Sequence, residues 1–373
     1  MEYYEAEIEG ASVKYKGSVW FSGTALSGLY RADEKTGIAE YIKPFLREKN
    51  CHNVHRRAYL YEGKAWFTPW EGVHIACVDL ETYDIRYYDI PGEKVRDALL
   101  EECGAAYSGS VRYDKDHFIL IPAAAEAPVI VDMKSGVMKV LEGVVKENES
   151  FEAGCCHDGF VWMIPKRGRE WSRLDPVTGR ADRLPWNEEP GSFGGPCSAG
   201  GRIFFTPVNA DHILIYDPSK DEYERIPLGD FYRKGWRYDS LQPDEGRLWI
   251  LPRASQKILY LELKDLTVHE IERQQYPAGR VSLLRAFETD DGSLYAAAGM
   301  GSYFAKLDKE SGRWESVTVR IPACEWQRML KEKHECGNLE FDLPEYTFPE
   351  RKCGLDFFLD KVAAGSKAQF KND

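Results

Sequence analysis

A sevenfold internal repeat constrains this chain more than any other feature. "GKAWFTP" (63–69), "GFVWMIP" (159–165), "GRIFFTP" (201–207) and "GRLWILP" (246–252) share one order: a turn residue, an apolar and aromatic run, then proline. The turn residues anchoring all copies are Gly17, Gly63, Asp116, Gly159, Gly201, Gly246 and Gly292. Six positions on stand Gly23, Pro69, Pro122, Pro165, Pro207, Pro252 and Ala298. Ten further on stand Asp33, Asp79, Asp132, Asp175, Asp217, Glu262 and Asp308. The anchors lie 42 to 53 residues apart, a period that belongs to repeat architectures and decides the fold before any single motif does.

Each copy reads as four short strands. The run after the anchor is rich in residues that fit a pleated, buried surface, and proline marks its end because it cannot donate to the ladder. A second run such as "HILIYD" or "HIACVD" closes on the acid, and "PVTG", "EKTG" or "KESG" after it reads as a tight turn. A third strand such as "ADRLPW" follows, and a strand of small residues such as "YSGSVRY" precedes each anchor. Seven such units predict an all-β, seven-bladed β-propeller over residues 1–322, with small residues on the crowded inner strands. The segment 92–102 is expected as a helix inserted between blades 2 and 3. Residues 323–373 are expected as a helical and extended tail packing on the ring.

The copies "GSVWFSG…GLYRADEKTG" and "GKAWFTP…IACVDLETY" resemble the repeat of the streptogramin (virginiamycin B) lyase-like family, with a weaker similarity to kelch repeats. The resemblance covers about residues 10–322 and implies the propeller fold. It also implies magnesium-dependent elimination on a cyclic depsipeptide, using histidine and glutamate. The family's strand continues as W-F-T-E, whereas Pro69 and Pro207 occupy those positions here, "SG" does so in blade 1, and no inner strand carries a Pro-His-Gly motif. The catalytic motif is therefore unmatched.

Charge and composition narrow the function classes. A net charge of −12 argues against a nucleic-acid partner, whose binding relies on Lys and Arg. No apolar run approaches the roughly 18 residues of a membrane span, and no signal peptide is visible. Nine cysteines without regular spacing suit a reducing compartment, so the expected location is cytoplasmic. "CHNVH" (51–55), the adjacent Cys155 and Cys156, and "KHEC" (333–336) lack the second cluster a metal site needs. No resident cofactor or metal is expected, magnesium entering only with the lyase alternative.

The expected site is the channel mouth, on the face carrying the loops between second and third strands. Seven residues before each anchor stand Gly10, Arg56, Gly109, Glu152, Gly194, Asp239 and Arg285, four of them charged. Arg56, Arg237 and Arg285 are candidate ligand-binding residues, since guanidinium forks suit carboxylate and phosphate groups. Arg167 adds charge from the stretch 165–171, and Tyr107, Tyr238, Trp70 and Trp171 are candidate stacking surfaces. Glu152, Asp239 and His55 are candidate acid, base and proton carrier for an enzyme. Two functions stay open: a non-catalytic propeller binding a polar, anionic or sugar-containing molecule or a protein partner, and a lyase- or hydrolase-type enzyme. The oligomeric state is not legible.

Overall fold

The computed structural model describes residues 2–335, except 7, 9–10, 24–27, 49–53, 71, 92–94, 96–103, 190, 233–236, 256, 272–282, 299–300 and 310. At 237, 254, 283–284 and 333–335 only the backbone is described. The expected helix over 92–102 apart from Val95, which forms an isolated bridge with Ala125, the chain beyond 335, and Cys51, His52 and Trp236 fall outside what is described.

Seven four-stranded antiparallel units follow one another along the chain, each strand paired with its sequence neighbour. Their inner strands are Ser12–Tyr15, His55–Tyr61, Tyr107–Arg112, Ser150–His157, Phe193–Ala199, Arg237–Asp244 and Leu283–Thr289. Each inner strand contacts the next, and the seventh returns to the first, so the units form a ring. Seven apolar clusters fill the seven gaps between neighbouring blades. The residue three after each anchor sits in one of them: Trp20, Trp66, Ile119, Trp162, Phe204, Trp249 and Tyr295 are all at most 3% exposed. The aromatic run of the repeat is thus what glues blade to blade.

The two turn types explain two columns of the repeat. In blades 1, 2, 4, 5 and 6 the first hairpin turns through two residues that both have positive φ: Lys16 and Gly17, Glu62 and Gly63, Asp158 and Gly159, Gly200 and Gly201, Glu245 and Gly246. Such turns match the twist of the flanking strands, and the anchor glycine is the residue that makes them cheap. In the turn after the conserved-spacing acid, the residue four later also has positive φ in all seven blades: Gly37, Tyr83, Gly136, Gly179, Asp221, Leu266 and Gly312. The acid fixes this turn: Asp33 accepts from the N–H groups of Lys35 and Thr36, and Asp79 from those of Glu81 and Thr82.

Proline ends the second strand in blades 2, 3 and 5, but not everywhere. In blades 4 and 6 the strands Phe160–Arg167 and Arg247–Ala254 run two residues past Pro165 and Pro252. In these two blades the inner strand has a second register shift nearer its start, and pairing resumes beyond the proline at Ser150 with Arg167 and Arg237 with Ala254.

Closure joins the two ends of the ring. Strand Tyr3–Glu5 pairs antiparallel with Arg320–Pro322, and the helix Ala323–Glu335 lies on this clasp and on the outer strand of blade 1. Met329 is fully buried there and accepts a hydrogen bond from the Tyr30 hydroxyl at 2.9 Å. The inner strands of blades 1 and 7 also pair directly, in parallel, at Val13 with Glu288 and Lys14 with Thr289. Blade 7 touches blade 2 as well as blade 1, which pinches the ring at this point.

Candidate functional site

A cavity of about 490 Å³ occupies the channel, walled by the inner strands. At its mouth end Arg57 and Arg285 line it, and at its far end stand Arg112, Asp244 and Glu288. The far end is internally balanced. Glu288 accepts the Leu60 N–H at 2.7 Å and pairs with Arg112 Nε at 3.0 Å, while Arg112 Nη2 donates to the Leu60 carbonyl at 2.8 Å. Burial raises the Glu288 pKa, against the opposing pull of Arg112. Asp244 pairs with Lys309 at 2.8 Å. One acid–base pair thus ties blades 7, 2 and 3 together across the pinch.

The mouth end is not balanced. Counting back from the anchors puts Arg56, Glu152, Asp239 and Arg285 on one level, and strand pairing corrects that count. Arg56, Glu152 and Asp239 each occupy a bulge between two ladder pairs. Arg285 instead pairs with Ala297, while in blade 2 the equivalent position is held by Arg57, paired with Thr68. Hairpin length causes the slip: blade 2 turns in two residues, whereas Phe287 and Tyr295 of blade 7 are joined by a longer connection. Arg57, absent from the sequence-derived set, is therefore the register mate of Arg285, and only pairing reveals it.

Charges converge on Arg285. Its Nε lies 3.6 Å from Asp239 Oδ2, an ion pair beyond hydrogen-bonding distance, and that buried oxygen has no hydrogen-bond donor among the described residues. Asp239 is also 3.7 Å from Arg253, and Glu152 is 3.9 Å from Lys166. Burial first, then the positive charge of Arg56, lowers the Arg285 pKa to about 9, with Arg57 adding to the effect and Asp239 and Glu152 opposing it. The guanidinium stays protonated at neutral pH but is held there uphill. Among the described residues the cluster comprises five cations, Arg56, Arg57, Lys166, Arg253 and Arg285, against the carboxylates Glu152 and Asp239. Arg56 also stacks over the Trp70 ring at 4.0 Å, at the rim.

Four expected site residues lie elsewhere. His55 is buried against Phe45 and Phe67, its Nδ1 2.9 Å from the Ser22 hydroxyl, and burial lowers its pKa to about 3. It is a neutral core histidine and carries no charge at physiological pH. Trp171 is fully buried between blades 4 and 5, its ring 4.7 Å from that of Trp162. The stretch 165–171 is a tight hairpin rather than a loop, and Trp171 is already the second residue of strand Glu170–Leu174, on its inward face. Tyr238 is 1% exposed and donates to the Phe231 carbonyl, and Tyr107 is 3% exposed between blades 2 and 3. Arg167 is exposed at the end of its strand, opposite Ser150, and the Arg237 side chain lies outside the described residues. Cys155 and Cys197 line the cavity as thiols, with burial raising Cys155 well above the usual range and Cys197 to about 12. Among the described residues no cluster of three metal-ligating side chains occurs.

No protein-family model matches the chain, and no curated protein matches it. Solved structures do. Streptogramin B lyase superposes with a TM-score of 0.57 over 80% of this chain and 94% of its own, at 14% identity. Virginiamycin B lyase from Staphylococcus aureus gives 0.51 over 74% and 89%, also at 14% identity. YCF48 bound to the D1 peptide gives 0.58 over 80% and 91%, at 10% identity. The chain is a β-propeller. It resembles the lyase-like propellers in fold, and at these identities the likeness extends to the fold alone. The propeller's own chemistry has to be read from its mouth: a cation-rich rim over a channel with a compensated far end.

Proposed function

We propose that this propeller is a binding module that takes an anionic group at its channel mouth. The observation that supports this is the imbalance around Arg285, where among the described residues cations outnumber carboxylates in a partly dry site. Holding like charges together in a ligand-free protein costs stability, and a bound carboxylate or phosphate relieves that cost while Arg57 and Arg285 supply forked donors. On a chain of net charge −12, such a local patch also focuses anions toward the channel. A peptide carboxylate belongs to the same chemical class, and the YCF48 propeller of similar fold is bound to a peptide. In this reading the ring over residues 1–322 is the binding domain and 323–373 is an appendage to it.

The test is calorimetric titration of acetate and inorganic phosphate at low ionic strength. Saturable binding that weakens with salt and disappears in Arg285→Met is expected. An absence of binding by both anions, or equal binding by the variant, contradicts the proposal.

A further inference from the structure

Beneath the mouth the cavity is walled largely by backbone. Its lining includes consecutive residues of single strands: Arg57, Ala58 and Tyr59 in blade 2, and Pro196, Cys197 and Ser198 in blade 5. Side chains of a strand alternate between its two faces, so three neighbours reach one cavity together through the strand's edge. Strand pairing agrees. The inner strands of blades 2 to 6 each end their sheet among the described residues, whereas those of blades 1 and 7 pair with each other. The Ala58 and Leu241 side chains meanwhile pack into the gaps between blades. An edge strand leaves the N–H and C=O of alternate residues without a ladder partner, so each of these edges offers both donors and acceptors. Polar atoms make up the larger share of the wall. Half-buried Gln242 adds an amide that has no hydrogen-bond partner among the described residues.

We propose, resting on the anion site at the mouth, that the channel takes a polyhydroxylated chain ending in an anionic group, the chemistry shared by sugar acids and sugar phosphates. The anionic group lies between Arg57 and Arg285, and the hydroxyls run along the strand edges below, within reach of Gln242. A hydroxyl both donates and accepts, so it can complete either kind of edge group. A methylene completes neither and displaces the water that does, which leaves backbone groups unpaired in a confined space. The net gain of each new hydrogen bond is small because it replaces one to water, but the penalty for leaving its partner unmade is not. The wall therefore favours a polyol over an alkyl chain of the same length. A cavity of about 490 Å³ lies in the size range that encloses small ligands of this kind.

The experiment titrates the full chain calorimetrically at one low ionic strength with acetate, inorganic phosphate, hexanoate, gluconate, sorbitol and sorbitol phosphate. Gluconate and hexanoate carry the same charge on the same number of carbons, so their difference isolates the hydroxyls. Gluconate is expected to bind at least about tenfold more tightly than acetate, and hexanoate no more tightly than acetate. Sorbitol, lacking the anionic group, is expected to bind at least about tenfold more weakly than gluconate. Whichever of gluconate and sorbitol phosphate binds more tightly identifies the source of the anionic group. In Gln242→Leu the advantage of gluconate over acetate is expected to shrink by about threefold or more while acetate binding stays as it was. Hexanoate binding as tightly as gluconate, or gluconate no more tightly than acetate, overturns the proposal. So does sorbitol equal to gluconate, or a Gln242→Leu variant with gluconate affinity unchanged. If acetate and phosphate still bind in any of these cases, the anion site at the mouth stands without the polyol channel. Binding by none of the anions overturns both readings.

Discussion

At the scale of single residues, the backbone demand of the repeat outlives its side chains. The position four after each acid has positive φ in all seven blades, although Tyr83, Asp221 and Leu266 hold it without glycine. The cost of a side chain there depends on what surrounds it, and two glycines separate the causes. A Cβ on Gly312 meets nothing within 4 Å, whereas one on Gly37 falls 2.0 Å from the Thr318 carbonyl oxygen. Gly312→Ala is therefore expected to cost about 1–2 kcal/mol, the conformational term alone. Gly37→Ala has to move backbone and is expected to cost distinctly more. Urea denaturation of both variants checks this, and equal losses contradict it. His55 makes a related point: its spacing beside Arg56 suggests a proton carrier, but its place at the head of an inner strand turns the ring into the core.

At the scale of elements, the turn acids make a pH prediction. The Thr36 and Thr82 N–H groups hold Asp33 and Asp79 below the usual carboxylate range, and the Thr178 and Ser219 hydroxyls do so for Asp175 and Asp217. A depressed folded-state pKa contributes stability above the unfolded value, about 3.9 for Asp, and loses it as pH falls through the folded one. The urea midpoint is thus expected to hold steady from pH 7 to about 5 and to fall progressively below about 4. A midpoint unchanged down to pH 3 contradicts it. The blade interfaces make a second prediction. Trp66, 1% exposed between blades 2 and 3, should cost about 3–5 kcal/mol when cut to Ala, and a loss under about 1 kcal/mol would mean the interface closes over the gap.

This element scale is also where the sequence was most legible. Anchor, aromatic run, proline and acid recur because each serves a turn or an interface that every blade must build, so their spacing carries the architecture. The site was less legible for the same reason. Counting from an anchor assumes equal hairpins, and the longer connection between Phe287 and Tyr295 shifts blade 7 by one residue, hiding Arg57 behind Arg56. Trp171 looked like a loop aromatic because Pro165 seemed to stop a strand that in fact runs on to Arg167.

At the scale of the whole molecule, two devices close the ring: the clasp between Tyr3–Glu5 and Arg320–Pro322, and the parallel contact between blades 1 and 7. Ile321 is 1% exposed in the cluster that joins those blades, so Ile321→Ala is expected to cost about 2–5 kcal/mol in thermal or urea unfolding. Within that closed ring the charge distribution is polarised, with paired acids and bases at the pinch and excess cations at the mouth. The central claim is that this excess is kept for a ligand and not for the fold. Measuring the melting temperature of the ligand-free protein and of Arg285→Met tests it most directly. Burial and the neighbouring arginines disfavour the Arg285 charge more than Asp239 favours it. The account therefore predicts a variant more stable by about 1–2 kcal/mol, a melting temperature raised by about 2–4 °C, and no anion binding. A lowered melting temperature, restored when Asp239→Asn is added, would show a structural ion pair instead and contradict the account.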